Sequence, residues 1–108
     1  MILLEKVRYE GDICFVMPPQ KVVDEFDLKG GEHIRVILLK SYDYKMRVVT
    51  QPEAEVFFES DHHHPHHWEI PWDVIGKYNI KDLGFVEFKV IDVFRKHEEE
   101  AEAHAHTA

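Results

Sequence analysis

The densest set of potential metal ligands in this sequence is a run of histidines near its middle. Five imidazoles lie within six residues, at His62, His63, His64, His66 and His67. Imidazole nitrogen binds Zn, Ni, Cu and Co, and most rings are neutral near pH 7, so the run predicts a site for Zn or Ni. Asp61 and Glu69 flank the run and add carboxylates to this candidate metal site.

Three other interpretations of the histidine run stay open. Adjacent histidines on a loop lack the spacing that fixes ligand geometry on a helix face, so they also suit weak, adventitious metal binding. The run is equally consistent with a solvated loop that has no function. Several neighbouring rings would protonate together below about pH 6, which would make the loop a pH sensor.

An internal repeat predicts the elements that hold this run. Val7–Asp12 is similar to Val56–Asp61 at an offset of 49. A second block recurs at an offset of 52, in which Pro19, Val22, Val23, Phe26 and Leu28 correspond to Pro71, Val74, Ile75, Tyr78 and Ile80. The change of offset predicts three extra residues in the second copy, and they fall within the histidine run.

Each copy has the pattern of a strand, a turn, a strand, a proline, a short helix and a strand. In the first copy, strands are predicted at Glu5–Tyr9, Ile13–Met17, His33–Lys40 and Lys45–Thr50, with a helix from Pro18-Pro19 to Leu28–Gly31 and a hairpin turn at 41–44. In the second copy, strands are predicted at Glu55–Glu59, Trp68–Ile70 and Gly84–Phe94, with a helix at Pro71–Asn79. No hairpin partner is evident for the last strand. Because such short helices are marginal alone, they must dock on the sheet.

The predicted fold is therefore mostly β with two short helices, a small pseudo-twofold swapped-hairpin barrel made from a tandem β-β-α-β repeat. We expect one domain at 1–96, with repeats at 5–50 and 55–94, followed by an acidic tail at 97–108 that is predicted to be disordered.

The net charge of −8 argues against generic phosphate binding. The single cysteine, Cys14, is expected to be a small buried thiol in a cytoplasmic protein, and no stretch is long and apolar enough for a membrane helix.

The first copy also carries a set of short motifs. They are Val7-Arg8-x-x-x-Asp12, an apolar strand ending at Met17-Pro18, and Lys21-Val22-Val23-x-x-Phe26-x-Leu28-Lys29-Gly30-Gly31-Glu32-x-Ile34-x-Val36. This pattern resembles the AbrB/MraZ/SpoVT swapped-hairpin family, closely over residues 5–50 and less closely over 55–94. Members of that family usually build the barrel from two chains, whereas here a tandem duplication would supply both halves, in a monomer or a homodimer.

The resemblance implies DNA binding, as a transcriptional regulator or as an antitoxin whose acidic tail engages a toxin. Arg8 and Lys21 match the family's phosphate-contacting positions, and Lys45 and Arg47 are further candidates for DNA contact. The second copy departs from the pattern, because Phe57 replaces Arg8 and Asp73 replaces Lys21 at the offsets given above. The fold is thus expected to persist even where the DNA face is lost.

Catalysis is not expected, because the sequence has no Gly-rich phosphate loop, nucleophile elbow or Cys-x-x-Cys motif. Three functions remain: a DNA-binding regulator, a metal-binding or metal-sensing protein that uses the histidine run, and an interaction module that kept the fold without the DNA face. A protein partner would bind through the tail or the region of Trp68 and Trp72. These tryptophans either pack under the loop or form an exposed aromatic patch.

Overall fold

The computed structural model describes residues 1–95, so the predicted disorder and partner binding of tail 97–108 lie outside the described residues. The fold is mostly β. Its elements are β1 (Ile2–Lys6), β2 (Arg8–Glu10), β3 (Ile13–Val16), α1 (Gln20–Glu25), β4 (His33–Tyr42), β5 (Val48–Thr50), β6 (Ala54–Ser60), β7 (Trp68–Glu69), α2 (Trp72–Tyr78) and β8 (Phe85–Phe94).

One antiparallel sheet contains all the strands and nearly closes on itself. Its order is β1-β8-β4-β6-β7-β3-β2, with β5 paired to β4. The outermost strands, β1 and β2, are two halves of one strand interrupted at Val7, so the same segment pairs with β8 at one edge and with β3 at the other. The predicted fold class is confirmed: a small barrel-like sheet with two short helices.

A pseudo-twofold axis relates the two copies. The first strand of each copy pairs with the long strand that follows the helix in the other copy, β1 with β8 and β6 with β4. In the ladder between β4 and β8, Ile37 faces Lys89, its own counterpart at an offset of 52. Val16 likewise faces its counterpart Trp68 in the ladder between β3 and β7. The axis therefore passes through both ladders.

The irregularities of the sheet obey the same symmetry. The ladder between β4 and β8 shifts register twice, which leaves Leu39 on β4 and Ile91 on β8 as extra residues. These two residues also differ by 52 positions. Because a bulge bends its strand and increases the local twist, the paired bulges help the sheet to curl toward closure.

The structure corrects the alignment of the first strands. Val36 and Phe88 are counterparts at the offset of 52. Val56 faces Val36 and Leu3 faces Phe88, so Leu3 and Val56 are counterparts too, and β1 and β6 correspond at an offset of 53 rather than 49. Backbone hydrogen bonds agree, since the N–H of Val7 donates to the oxygen of Gly84 at 2.8 Å and the N–H of Ser60 donates to that of Glu32 at 2.9 Å.

Two expectations change with this offset. The counterpart of Arg8 is Asp61, not Phe57, because β1 and β6 correspond at an offset of 53. The second copy carries no insertion either: the segment from Ser60 to Trp68 is one residue shorter than the segment from Val7 to Val16. The histidine run therefore replaces the β2–β3 hairpin of the first copy.

Proline sets the start of both helices. Pro19 and Pro71 are the residues before α1 and α2, with φ of −58° and −60°, which proline fixes without strain. Both helices are shorter than predicted. The second ends at Tyr78 because Asn79 adopts the left-handed region at φ 53°, and Asp27 does the same after α1 at φ 50°.

Several strand boundaries also differ from prediction. The strand predicted at Glu5–Tyr9 starts earlier and is divided at Val7, and β4 continues through Tyr42. The hairpin turn lies at 43–47 because the Asp43 carboxylate accepts hydrogen bonds from the N–H groups of Lys45 and Arg47, both at 2.9 Å. The last strand, β8, pairs with both β1 and β4.

The core lies between the curled sheet and the two helices. Its largest fully buried side chains are Trp68, Phe15, Phe58 and Phe88. Cys14 is buried as expected, and burial, aided by the charge of Asp82, raises its thiol pKa to about 12. No helix within residues 1–95 has the length and apolar character that a membrane span requires.

Candidate functional site

The histidine loop is held in shape by Asp61. Its carboxylate accepts hydrogen bonds from the backbone N–H groups of His63 and His64, both at 3.0 Å, as an Asp side chain does in a turn. The backbone N–H of Asp61 donates to the carbonyl oxygen of His67 at 2.9 Å. The loop is thus closed by its own backbone and by one carboxylate.

Part of the loop forms a small aromatic stack. The His67 ring is stacked on Phe15 with ring centroids 4.6 Å apart, and the His66 ring is 4.4 Å from that of His67. Burial, reinforced by the neighbouring rings of His66 and His64, lowers the pKa of His67, although the carboxylates of Asp61 and Glu10 oppose this effect. His67 is therefore a packed, preferentially neutral ring.

The five histidines do not converge on one point. The Cε1 atom of His62 lies 2.7 Å from the position that a Cβ on Gly31 would take, so His62 packs over that glycine. His63 is exposed. Within residues 1–95, no three His, Cys, Asp or Glu side chains are arranged to hold a metal ion. The Zn or Ni site stays a prediction.

The four predicted DNA-contacting residues are all exposed but lie on separate elements. Arg8 is on β2, Lys21 is on α1, and Lys45 and Arg47 are in the turn after β4. Arg47 is paired with Asp43 at 2.7 Å.

Three of these residues lie toward one end of the sheet. Lys6 faces Phe85, and Phe85 faces Tyr42, so these three residues form a row across β1, β8 and β4. Arg8 comes shortly after Lys6 in the chain, and the turn at 43–47 comes directly after Tyr42, so both lie beyond this row at the same end of the sheet. Lys21, on α1, is not part of it.

The corrected alignment shows a charge reversal between the two halves. Residues Lys6, Arg8 and Lys21 of the first copy correspond to Glu59, Asp61 and Asp73 of the second. The barrel is therefore symmetric in its backbone and opposite in charge at these three surface positions. A partner that recognises one half by charge would not recognise the other half in the same way.

An open strand edge is the feature that the sequence interpretation missed. Within the described chain, β6 is paired along its length with β4, but on its other side it pairs with β7 only at Glu59 and Ser60. The backbone of Ser60 bonds toward β4, through Glu32 and Gly31. Because orientation alternates along a strand, the N–H and C=O groups of Glu55 and Phe57 point away from β4, into an unpaired edge.

This edge borders a groove formed with α2. A cavity of about 300 Å³ is lined by Glu55, Val56, Phe57, Pro71, Asp73, Val74, Lys77 and Tyr78. A second cavity of about 260 Å³ is lined by Asp12, Ile13, Cys14, Glu59, Glu69, Ile70, Pro71 and Trp72. The two cavities share Pro71 and follow β6 from Glu55 to Glu59, and we call them together the β6 trough.

The β6 trough has an apolar floor and an acidic rim. Val56, Val74 and Ile70 are buried in its floor. Its charged residues are the acids Asp12, Glu55, Glu59, Glu69 and Asp73 and the base Lys77. Five carboxyl groups against one amine leave the trough net negative, even though Glu55 is also paired with the Arg35 guanidinium of β4 at 3.7 Å, and this makes the trough a site for positive charge.

Crowding of acids is visible at one point of the rim. Burial raises the pKa of Glu69, and the carboxylates of Asp61 and Glu59 raise it further. A cationic group placed in the trough would relieve this repulsion, because an opposite charge nearby favours the ionised carboxylate.

Two aromatic residues that line the trough have large exposed surfaces, although the Phe57 ring packs toward Phe94 of β8, with ring centroids 6.2 Å apart, across β4 from the open edge. Phe57 is 45% exposed and Trp72 is 50% exposed. Trp72 is held in place by a hydrogen bond from its Nε1 to the carbonyl oxygen of Asp12 at 2.8 Å and by an edge contact with Tyr9 at 5.5 Å between ring centroids. Trp68 is buried, so only one of the two tryptophans belongs to an exposed aromatic patch.

A sequence signal for the trough was present in the predicted strand Glu55–Glu59. Glu55, Phe57 and Glu59 occupy alternate positions, so the period of a strand places an aromatic ring and two acids on the same outer face. The contribution of α2 could not be seen in this way, because the helix meets β6 only in the folded chain.

Comparison of the chain with protein-family models, with curated proteins and with solved structures gives no match. The resemblance to the AbrB/MraZ/SpoVT family stays a prediction that rests on the motifs of the first copy.

Proposed function

We propose that the chain is a non-catalytic protein-interaction module that binds an extended, basic segment of a partner protein along the β6 trough. The observation that carries this proposal is an unpaired strand edge enclosed in a groove with an acidic rim. An open edge offers a row of backbone donors and acceptors, and an extended peptide can add to it as a further strand.

The trough supplies both parts of such recognition. Backbone groups of Glu55 and Phe57 would provide main-chain hydrogen bonds, which do not depend on the sequence of the peptide. The apolar floor and the acidic rim would select side chains, with apolar residues on the inner face and Lys or Arg against the acids. Exposed Phe57 and Trp72 would be the aromatic anchors, a residue type that dominates the energetics of many interfaces.

Binding of a synthetic peptide of alternating Lys and Val tests this proposal. We expect the fluorescence of Trp72 to change on addition of the peptide, and Glu55→Lys to weaken binding about tenfold, because it places a like charge at the trough. Glu25→Lys is the matched control: Glu25 is exposed on α1 and lies outside the trough, so its substitution should leave binding within about twofold.

Two results would contradict the proposal. One is equal binding of the Lys-Val peptide and of a peptide of alternating Glu and Val, since charge would then play no part. The other is equal weakening by Glu55→Lys and by Glu25→Lys, since the effect would then be a property of net charge and not of the trough.

A second candidate function is nucleic-acid binding at the end of the sheet that carries Arg8 and the turn at 43–47. The row from Lys6 through Phe85 to Tyr42 supports it, because it brings basic residues of two elements toward the same end. We expect retention of duplex DNA at low salt and a salt slope that falls by about 1 for Arg8→Gln, as for the loss of one phosphate contact. Absence of retention at low salt would remove this candidate.

A further inference from the structure

The fold leaves a second open strand edge, in the first copy. Within residues 1–95, β1 pairs only with β8. The backbone of Val7 bonds toward Gly84 and Leu83 next to β8, so the backbone groups of Ile2, Leu4 and Lys6 point the other way. By the pseudo-twofold relation, this edge lies beside α1 as the edge of β6 lies beside α2. The molecule thus carries two geometrically equivalent edges.

The two edges are opposite in chemistry. The outward positions of β1 are Ile2, Leu4 and Lys6, of which Ile2 and Leu4 are 61% and 47% exposed. The outward positions of β6 are Glu55, Phe57 and Glu59. One edge is therefore apolar and basic, and the other is acidic with one exposed aromatic ring.

We propose that the β6 trough binds the β1 edge of a second copy of this chain, so that copies associate head to tail. This proposal rests on the proposed function, and it identifies β1, whose outer face carries Ile2, Leu4 and the basic Lys6, as the extended segment that the trough receives. An antiparallel pairing centred on Leu4 against Phe57 places Lys6 opposite Glu55. That register covers Leu4 and Phe57 and pairs Lys6 with Glu55, and it stops short of Glu59, where β7 already pairs with β6.

The symmetric alternative is unfavourable. Antiparallel pairing of β6 with a second β6, centred on Phe57, places Glu55 opposite Glu59 of the other copy on both sides of the centre. Like charges directly opposite each other destabilise a strand pair. Pairing of β1 with β6 is heterologous, and such contacts produce rings or open chains of subunits.

Sedimentation velocity over a range of protein concentrations tests the assembly. We expect the native chain to form larger species as concentration rises. Lys6→Glu and Glu55→Lys should each weaken association about tenfold, because each replaces an attractive cross-strand pair with a repulsive one. The doubly substituted chain, Lys6→Glu with Glu55→Lys, should recover association, since it restores opposite charges in reversed order.

Mixing separates the heterologous arrangement from a symmetric one. The Lys6→Glu chain keeps an intact β6 trough and the Glu55→Lys chain keeps an intact β1 edge, so an equimolar mixture should associate where each chain alone does not. A native chain that stays monomeric at every concentration, or a mixture that behaves as its components do, would overturn the proposal. If the monomeric chain still binds the Lys-Val peptide, the self-association fails while the proposed function stands; if it binds neither, both fail.

Discussion

Replacement of Glu32 by Ala should lower the free energy of unfolding by about 3–5 kcal/mol. Glu32 is 4% exposed and sits where the two halves of the sheet meet. Its carboxylate accepts hydrogen bonds from the N–H of Lys29 at 2.8 Å, the N–H of Gly30 at 2.9 Å and the hydroxyl of Ser60 at 2.6 Å. Alanine would leave the buried Ser60 hydroxyl and the two partly buried N–H groups without this acceptor. Urea denaturation measures the loss.

Arg95 adds a positive charge to this site. Its guanidinium donates to Glu32 at 3.3 Å and to the carbonyl oxygen of Phe26 at 2.8 Å, which ties the end of β8 to the segment after α1. Glu25→Ala is the matched control, because Glu25 is an exposed glutamate on α1, and we expect it to change stability by less than about 0.5 kcal/mol. Equal effects of the two substitutions would show that the buried carboxylate has no structural role.

The pH dependence of stability gives the Glu32 prediction a second readout. Burial alone would raise the pKa of Glu32, but hydrogen bonds from Ser60, Lys29 and Gly30 outweigh it and lower the pKa below the ordinary value of 4.5. The stabilisation is therefore complete above about pH 4.5 and is lost as the pH falls through the folded-state pKa. Glu32→Gln removes this titration, so its stability deficit relative to the native chain should shrink as the pH is lowered below 4.5.

Gly84→Ala should be the second strongly destabilising substitution, by about 3 kcal/mol. Gly84 is the pseudo-twofold counterpart of Glu32, and its carbonyl oxygen accepts a hydrogen bond from Val7 at 2.8 Å. A Cβ at this position would clash with the carbonyl oxygen of Tyr42. Backbone has to move to relieve such a clash, so the adjoining ladder of β4 and β8 would be strained. Thermal unfolding followed by circular dichroism measures the effect.

A glycine elsewhere in the chain provides the control. Gly76 lies on α2, and a Cβ there would meet no atom within 4 Å beyond its chain neighbours and the backbone of its own helix. Gly76→Ala should therefore stabilise the chain by about 0.5–1 kcal/mol, because alanine has the higher helix propensity. A Gly84→Ala chain as stable as the Gly76→Ala chain would refute the close approach at Tyr42.

Local patterns in the sequence were sufficient for the fold class. Alternating apolar residues in His33–Lys40 predicted β4, and Pro19 and Pro71 predicted where the helices start, because both signals act over a few residues. The duplication added the pseudo-twofold arrangement. The strand pattern, the helix starts and their repetition in the second copy are all present in the structure.

The alignment of the first strands could not be obtained in this way. Val7–Asp12 and Val56–Asp61 match by residue type, but the position of a strand in a sheet is set by ladders to distant residues, such as Leu3 with Phe88 and Val56 with Val36. The similarity at an offset of 49 was therefore misleading. The correct offset of 53 was needed to reveal that Asp61 stands where the first copy has Arg8.

The β6 trough could not be predicted from the sequence either, because it too depends on which distant strands pair with β6. Sequence patterns show which residues of a strand face outward, but they do not show on which side the strand lacks a neighbour. The open edge at Glu55 and Phe57 follows from the short pairing of β6 with β7, which begins only at Glu59. The sequence predicted a metal site at the histidine run, whereas the candidate site in the structure lies along β6, the strand that precedes this run.

Hydrogen exchange at the amides of Glu55 and Phe57 tests the central claim most directly. Both amides point into the trough, so they should exchange rapidly in the Lys6→Glu chain, studied at a concentration at which it is monomeric, and slowly once the Lys-Val peptide is bound, because the added strand accepts their hydrogen bonds. We predict protection at these two positions and little change along the edge of β1. Binding of the peptide without protection of Glu55 and Phe57 would contradict the assignment of the β6 trough as the binding site.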